Sequence, residues 1–421
     1  MSSSVVALRR HRGAVSLDPA EARHRSVRRR VSAAWGLLYL NTLTFVPGGI
    51  LHIPSPVGQG LTQGALPLAI LVALTVNPKV NVRPNVFLCI VSLLVVDTVI
   101  TSLQPQHLDT LYRTFRLAEF VGALWLLTPW WGRRDMLLFR CHLGWLFVGL
   151  GSVLLGLLIA PGQAFANDGR LSGVIWPMGS TQVAQYAAVA AGLTAVLWFA
   201  RLLSGRVTLA GVTIAVGILL LTHTRTALVG LVAGILVAGL SLFTINGRVR
   251  KFFAAGIAAV SIGAVTVAGL VTTWLARGEN AQGLITLTGR TNFWALVLNQ
   301  PRTRFQEIFG FGLSNAGING LPIDSNWLAS YMMEGLFGLV VCAMMLVFLF
   351  VTAFFQPPGV RRALALFLVT YCTLASFTEV GFTDASTYLL DLAVAASLLM
   401  MPLMGVTVRD RPASYVGWES C

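Results

Sequence analysis

The chain reads as an all-α, polytopic bundle of transmembrane helices with one large loop outside the membrane. Hydrophobic residues make up 56% of it and charged residues only 11%. Apolar runs of about 17–25 residues, the length a helix needs to cross the bilayer core, recur from end to end. These runs are apolar on every side, where a soluble helix would carry only a stripe.

The first 30 residues are polar and arginine-rich (RRHRGAVSLDPAEARHRSVRRR) and hold no early apolar core, so no cleavable signal peptide is visible. They are expected to form a disordered cytoplasmic tail near anionic lipid. Twelve apolar spans follow, at 32–48, 61–76, 85–103, 111–130, 136–160, 180–200, 207–222, 225–244, 252–275, 326–355, 362–377 and 384–404. The chain thus divides into the tail 1–30, nine spans within 31–275, a polar loop 276–325, three spans within 326–404 and a second tail 405–421.

Positive charge tests this count. With the N-terminus inside, every second junction is basic: Lys79 and Arg83; Arg133, Arg134 and Arg140; Arg201 and Arg206; Arg248, Arg250 and Lys251; Arg361 and Arg362; Arg409 and Arg411. That is the positive-inside pattern, and it puts both termini in the cytoplasm. The same pattern accounts for the net charge of +14, so no nucleic-acid partner is expected. The five cysteines show no CxxC spacing and four lie in apolar runs, which supports neither a disulfide framework nor a zinc site.

The positive residues left over are Arg113, Arg116, Arg170, Arg225, Arg277, Arg290, Arg302 and Arg304, all arginine and all at or beyond the outer boundary. Arginine presents a planar fork of donors that grips phosphate bidentately and stays protonated. Arg225, in LLLTHTRTALVG, sits where span 7 gives way to span 8 after almost no loop. Facing lipid at mid-membrane it would cost about 2.5–3.5 kcal/mol on insertion scales. Two readings stand: it faces a hydrated cavity beside Thr222, Thr224 and Thr226, or it snorkels to the outer headgroups.

In the loop, Gly289-Arg290 opens TGRTNFWALVLNQPRTRF, whose apolar residues suggest a surface helix ended by Pro301. Arg290 would then sit at a helix N-terminus, where backbone N–H groups favour an anion. Arg302 and Arg304 follow, as substrate contacts or as solvated loop charges. Asp324, in LPIDSNWLASYMMEG, precedes span 10. It is either an N-cap, a role Ser325 or Asn326 could share, or a general base for a hydroxyl. Arg113, Arg116 and Glu119 share a helix face, so an internal Arg116–Glu119 pair competes with a substrate role. Arg170 belongs to an external turn shaped by Gly173, Pro177 and Gly179. Glu334 and Asp391 lie within spans as core hydrogen-bonding groups. No GxxxxGK[ST], HExxH, DxD-like pair or metal-spaced carboxylate cluster is present, so neither metal nor cofactor is expected.

Four pieces resemble the O-antigen ligase and O-antigen polymerase superfamily of bacterial envelope enzymes. They are THTRTALVG, GRTNFW, RLSGVIWPMGSTQVA, and FGFGLSN followed by IDSNWLASYMMEGLFGLV. The last third matches best, and spans 1–5 match in hydropathy alone. The resemblance implies a membrane-glycosyltransferase (GT-C-like) architecture in the bacterial cytoplasmic membrane with an extracytoplasmic site. It implies metal-independent, inverting transfer of a glycan from a polyprenyl-pyrophosphate carrier to a hydroxyl on a glycan or lipid-glycan acceptor. Arg225 and Arg290, with Arg170 beside them, would hold the pyrophosphate, and Asn326 would lie at the site. Ligases of the family carry a histidine before that asparagine. Asp324 stands as its substitute here, a variation closer to the polymerases. The alternative is a polytopic transporter or flippase of lipid-linked oligosaccharide, for which paired broken helices at mid-membrane would be the signal.

Overall fold

The computed structural model describes residues 19–43, 50, 53–103, 108–166, 168–256, 290–313, 317–318 and 321–401. Within them the chain is helical, apart from connecting loops and a short antiparallel pairing of Gly317–Ile318 with Leu321–Pro322. The helices are α1 (Pro19–Thr42), α2 (Ser55–Val76), α3 (Val86–Ser102), α4 (Leu108–Leu126), α5 (Leu137–Ile159), α6 (Pro161–Ala164) and α7 (Ser180–Phe199). They continue with α8 (Gly205–Leu221), α9 (Arg225–Phe243), α10 (Arg290–Leu298), α11 (Arg304–Phe309), α12 (Asn326–Phe355), α13 (Val360–Ala375) and α14 (Thr387–Leu399).

Five described helices (α2, α5, α7, α9 and α12) are long and apolar enough to cross a membrane, and α3, α8 and α14 are shorter apolar helices. Large apolar side chains point outward, among them Leu158 at 80% and Phe355 at 79% exposure. Lipid tolerates such a surface and water does not. This is the make-up of a helical membrane protein.

Each expected span except the ninth falls on a described helix. The ninth, 252–275, lies outside the described residues beyond 256, as does the loop up to 289. Two expectations need correction. The basic tail expected to be disordered is helical from Pro19 onward and runs without interruption into the first apolar stretch. Alanine and arginine are good helix formers, and Glu21 pairs with Arg25 one turn on at 3.7 Å. From Val31 the helix buries Ala34, Trp35, Leu38 and Tyr39, the spacing of a single face.

The second correction concerns span 10. α12 is two half-helices joined at Gly335, whose φ of 63° and ψ of −157° are non-helical. The break frees carbonyls that an unbroken helix would satisfy internally, and α11 with its following loop takes them. The Phe311 N–H donates to the Met332 carbonyl at 2.9 Å and the Gly312 N–H to the Met333 carbonyl at 2.8 Å. A Cβ on Gly335 would collide with the Ile308 carbonyl group and lie 2.6 Å from the Gly310 nitrogen. The Gly310-Phe311-Gly312 stretch is therefore the docking partner of the break.

The core centres on α7, α13 and α14. Phe367 and Tyr371 of α13, at 0% and 1% exposure, fill notches left by Gly192 on α7 and by Gly230 and Gly234 on α9. Small residues allow this approach where no hydrophobic force between helices operates in lipid. One polar network is sealed within. His142 Nε2 lies 2.7 Å from Asp391 Oδ1, with both side chains at 0% exposure. Trp35 Nε1 donates to His142 Nδ1 at 3.4 Å, and Gln185 Nε2 donates to Asp391 Oδ2 at 3.0 Å. An indole only donates, so Nδ1 is the acceptor and Nε2–H faces the carboxylate. The two acids expected to serve as core hydrogen-bonding groups thus part ways: Asp391 does so, and Glu334 does not.

Candidate functional site

The α8–α9 turn folds sharply because both helices end at it. Thr222 closes α8, His223 takes a left-handed φ of 52°, and Thr224 is the N-cap of α9. Arg225 is consequently the first residue of α9, where the opening N–H groups have no intrahelical acceptor and favour an anion. The segment around Arg170 lies along this turn. The Leu171 N–H donates to the Leu221 carbonyl at 3.0 Å. Arg170 Nε donates to the Thr222 carbonyl and Nη2 to Thr224 Oγ1, both at 3.0 Å. Arg170 therefore braces the turn that presents Arg225.

Arg225 is half-buried, and its Nε and Nη2 are shielded from solvent without a hydrogen-bond partner among the described residues. Those two nitrogens form one edge of the guanidinium, the edge that grips two oxygens of a carboxylate or phosphate side-on. Arg225 is the only described arginine with two buried, unpartnered nitrogens. On the opposite side arginines reach carbonyls: Arg83 Nη1 to Trp131 at 2.8 Å, and Arg248 Nη1 to Trp198 at 2.7 Å. Burial lowers the Arg83 pKa from its ordinary value.

The segment 376–386, between α13 and α14, ties the starts of α9 and α12 together. Thr378 Oγ1 donates to Thr226 Oγ1, next to Arg225, at 2.7 Å. The Asn326 N–H donates to the Ser376 carbonyl at 2.9 Å, while Asn326 Oδ1 accepts from Gly381 and Phe382 N–H at 3.1 and 2.9 Å. Asn326 is fully buried, with Nδ2 on Ser330 Oγ at 3.3 Å, so its amide pins α12 to this segment in place of reaching a substrate. The N-cap of α12 is Ser325, which displaces the cap reading of Asp324. Asp324 lies one residue earlier, half-buried.

Asp384 of the same segment holds the α4 arginines, at 3.6 Å from Arg113 Nη1 and 3.5 Å from Arg116 Nη1. Arg113 Nε also meets Asp109 at 3.3 Å. Arg116 Nη2 donates to the Asn41 and Ala385 carbonyls at 3.0 and 2.9 Å. Arg116 thus binds across helices, and the pairing with Glu119 that helix spacing suggests is not made. Asp384 and Thr378 escaped the sequence reading, although TEVGFTDAS carries two of only 16 acidic residues between two apolar runs.

Of the loop arginines, Arg290 opens α10 as expected. Arg302 is structural. Its Nη2 donates to the Val297 carbonyl at 3.0 Å, and its Cζ lies 4.2 Å from the Tyr331 ring centre, stacking the end of α10 on α12. Arg304 is exposed, just after the Thr303–Gln306 capping box of α11. The arrangement defines a helical membrane protein with a half-buried arginine at one helix N-terminus, braced by a second arginine and anchored to a polar inter-helix segment. No family model and no curated protein matches the chain.

Proposed function

We propose that the Arg225 corner grips the diphosphate of a lipid-linked sugar, and that the protein is a metal-independent, inverting glycosyltransferase at the outer face of a bacterial cytoplasmic membrane. The observation that carries this reading is the side-on edge of Arg225, buried and unpartnered at the first residue of α9. Such an edge is costly to leave unmade, and a phosphate oxygen pair meets it. Arg290, at the start of α10, would add a second grip. In the reaction an acceptor hydroxyl loses its proton to Asp324 and attacks the anomeric carbon. The bond from that carbon to the diphosphate breaks as the glycosidic bond forms, and the lipid diphosphate leaves with its charge held by the arginines. The four motif resemblances favour a glycan-polymerising or glycan-ligating enzyme.

One observation favours a second reading, a transporter of the same lipid. α12 is broken at Gly335, and discontinuous helices mark substrate and ion sites in transporters. Purified protein in liposomes given a polyprenyl-diphosphate oligosaccharide decides. Elongated or transferred glycan, abolished in Arg225→Ala and not restored in Arg225→Lys, supports transfer. Movement of unchanged donor across the bilayer supports transport. Full transfer by Arg225→Ala protein overturns the diphosphate grip.

A further inference from the structure

Asp97 of α3 and Glu334 of α12 are both at 0% exposure. Among the described residues neither carboxyl has a hydrogen-bond partner on either oxygen. α3 packs directly on α12, and Asp97 is close enough to Glu334 to act on it electrostatically. The surrounding hydroxyls are spent elsewhere: Thr98 Oγ1 donates to the Val95 carbonyl at 2.9 Å, Thr101 Oγ1 to Thr98 at 3.0 Å, and Thr114 Oγ1 to Thr98 at 3.3 Å. Ser330 Oγ lies 3.6 Å from Cys342 Sγ and accepts from Asn326.

The Glu334 carboxyl sits over Gly338, where an added Cβ would come 2.5 Å from Oε2. It ends the outer half of α12, immediately before the break at Gly335.

The charged and titratable groups on the elements packed against α12 do not neutralise the pair. α3 supplies Asp97 itself. α11 supplies Arg304 and Glu307, both exposed. From α10 onward the cation is Arg302, stacked on Tyr331. α13 supplies Tyr371 and Cys372, with Arg361 and Arg362 at its start on the Gly132 and Gln356 carbonyls, and α14 supplies Tyr388 and Asp391, the last held by His142 and Gln185. Asp384, which also acts on Glu334, is another acid, already engaged by Arg113 and Arg116. Two bare carboxylates in an apolar interior are costly, and among the described residues no cation meets either of them, which leaves the charge to be met by an ion.

We propose that Asp97 and Glu334 form an intramembrane site for a monovalent cation, a proton or a sodium ion, set at the break of α12. The site is independent of the Arg225 corner and holds for a transferase or a transporter alike. Its occupant would set the charge on the last residue of the half-helix that begins beside Asp324. That couples cation binding to the outer end of α12.

The test is infrared absorption of the full chain in lipid nanodiscs, in the region of protonated carboxyl C=O stretching, for the wild type, Glu334→Gln and Asp97→Asn. A band weakened in each variant and indifferent to sodium chloride assigns a proton. A band that sodium chloride removes from the wild type, but potassium or choline chloride does not, assigns sodium. A second measurement needs no variant: dicyclohexylcarbodiimide, which reacts with protonated carboxyls in apolar surroundings, followed by peptide mass spectrometry of the wild type. Adducts on Glu334 or Asp97, slowed by sodium in the sodium case, also support the site. The proposal is overturned if the spectra of the three proteins coincide in this region with and without sodium and neither residue is modified.

Discussion

Replacing Gly335 with alanine tests the break in α12. The residue holds φ 63° and ψ −157°, a region occupied almost solely by glycine, so any side chain costs about 1–3 kcal/mol in backbone strain. Its new Cβ would also meet the Ile308 carbonyl and lie 2.6 Å from the Gly310 nitrogen. These are backbone atoms of α11 and its end, unable to rotate aside as a side chain could. Pushing α11 away sacrifices the Phe311-to-Met332 and Gly312-to-Met333 bonds, at about 0.5–1.5 kcal/mol each. The sum is about 2–6 kcal/mol, unless α12 closes into an unbroken helix and releases the loop. Either way the protein changes measurably. Thermal unfolding in nanodiscs, followed by the reactivity of the buried Cys342 and Cys372, reads the stability. Limited proteolysis of 302–313 reads a released loop. Gly217→Ala is the control: it lies within α8 with nothing near its Cβ, and alanine there is expected to be neutral or slightly stabilising. A Gly335→Ala protein as stable and as protease-resistant as Gly217→Ala would refute the account of the break.

Two further substitutions probe the outer clamp and the core. Asn326→Ala leaves the Gly381 and Phe382 N–H groups buried without their acceptor, and is expected to cost about 2 kcal/mol or more in unfolding stability; an unchanged unfolding temperature would show that the amide is not the pin. Phe367→Ala empties the notch shared by Gly192 and Gly234 and is expected to cost about 3–5 kcal/mol, with Phe367→Leu recovering part of it in the same measurement.

Element positions were legible in the sequence because a bilayer-length apolar run has few alternatives to a helix. α12 matches its expected limits at both ends, α5 is a residue shorter at each end, and α7 and α9 start as expected and end one residue sooner. What escaped was decided by contacts distant in the chain. MEGLFG reads as continuous helix, since a lone glycine costs a helix only about 1 kcal/mol. Nothing local reveals that Gly310 approaches from an earlier segment and that Phe311 and Gly312 beside it take the freed carbonyls. The start of α1 was missed for the opposite reason: a charged stretch looks unfit for structure until it is seen to extend a long helix that the apolar part has already nucleated.

The outward arginines show why composition alone could not single out a site. Placed outside as expected, each of them would oppose the insertion bias, and a substrate role stood among the sequence readings for all but Arg277. Four are compensated by the protein itself. Arg113 and Arg116 answer Asp384, Arg302 lies on Tyr331, and Arg170 is bound to Thr222 and Thr224. Those partners lie from 29 to 268 residues away along the chain for Arg302 to Tyr331 and for Arg116 to Asp384, a separation no spacing rule reaches. Arg225 differs in kind. It is fixed by α9, sheltered from water and supported by a brace, yet among the described residues the edge it presents has no acceptor. On the proposed reading that open donor pair meets a doubly oxygenated anion, since a buried donor left unmade is costly and a phosphate oxygen pair matches the edge.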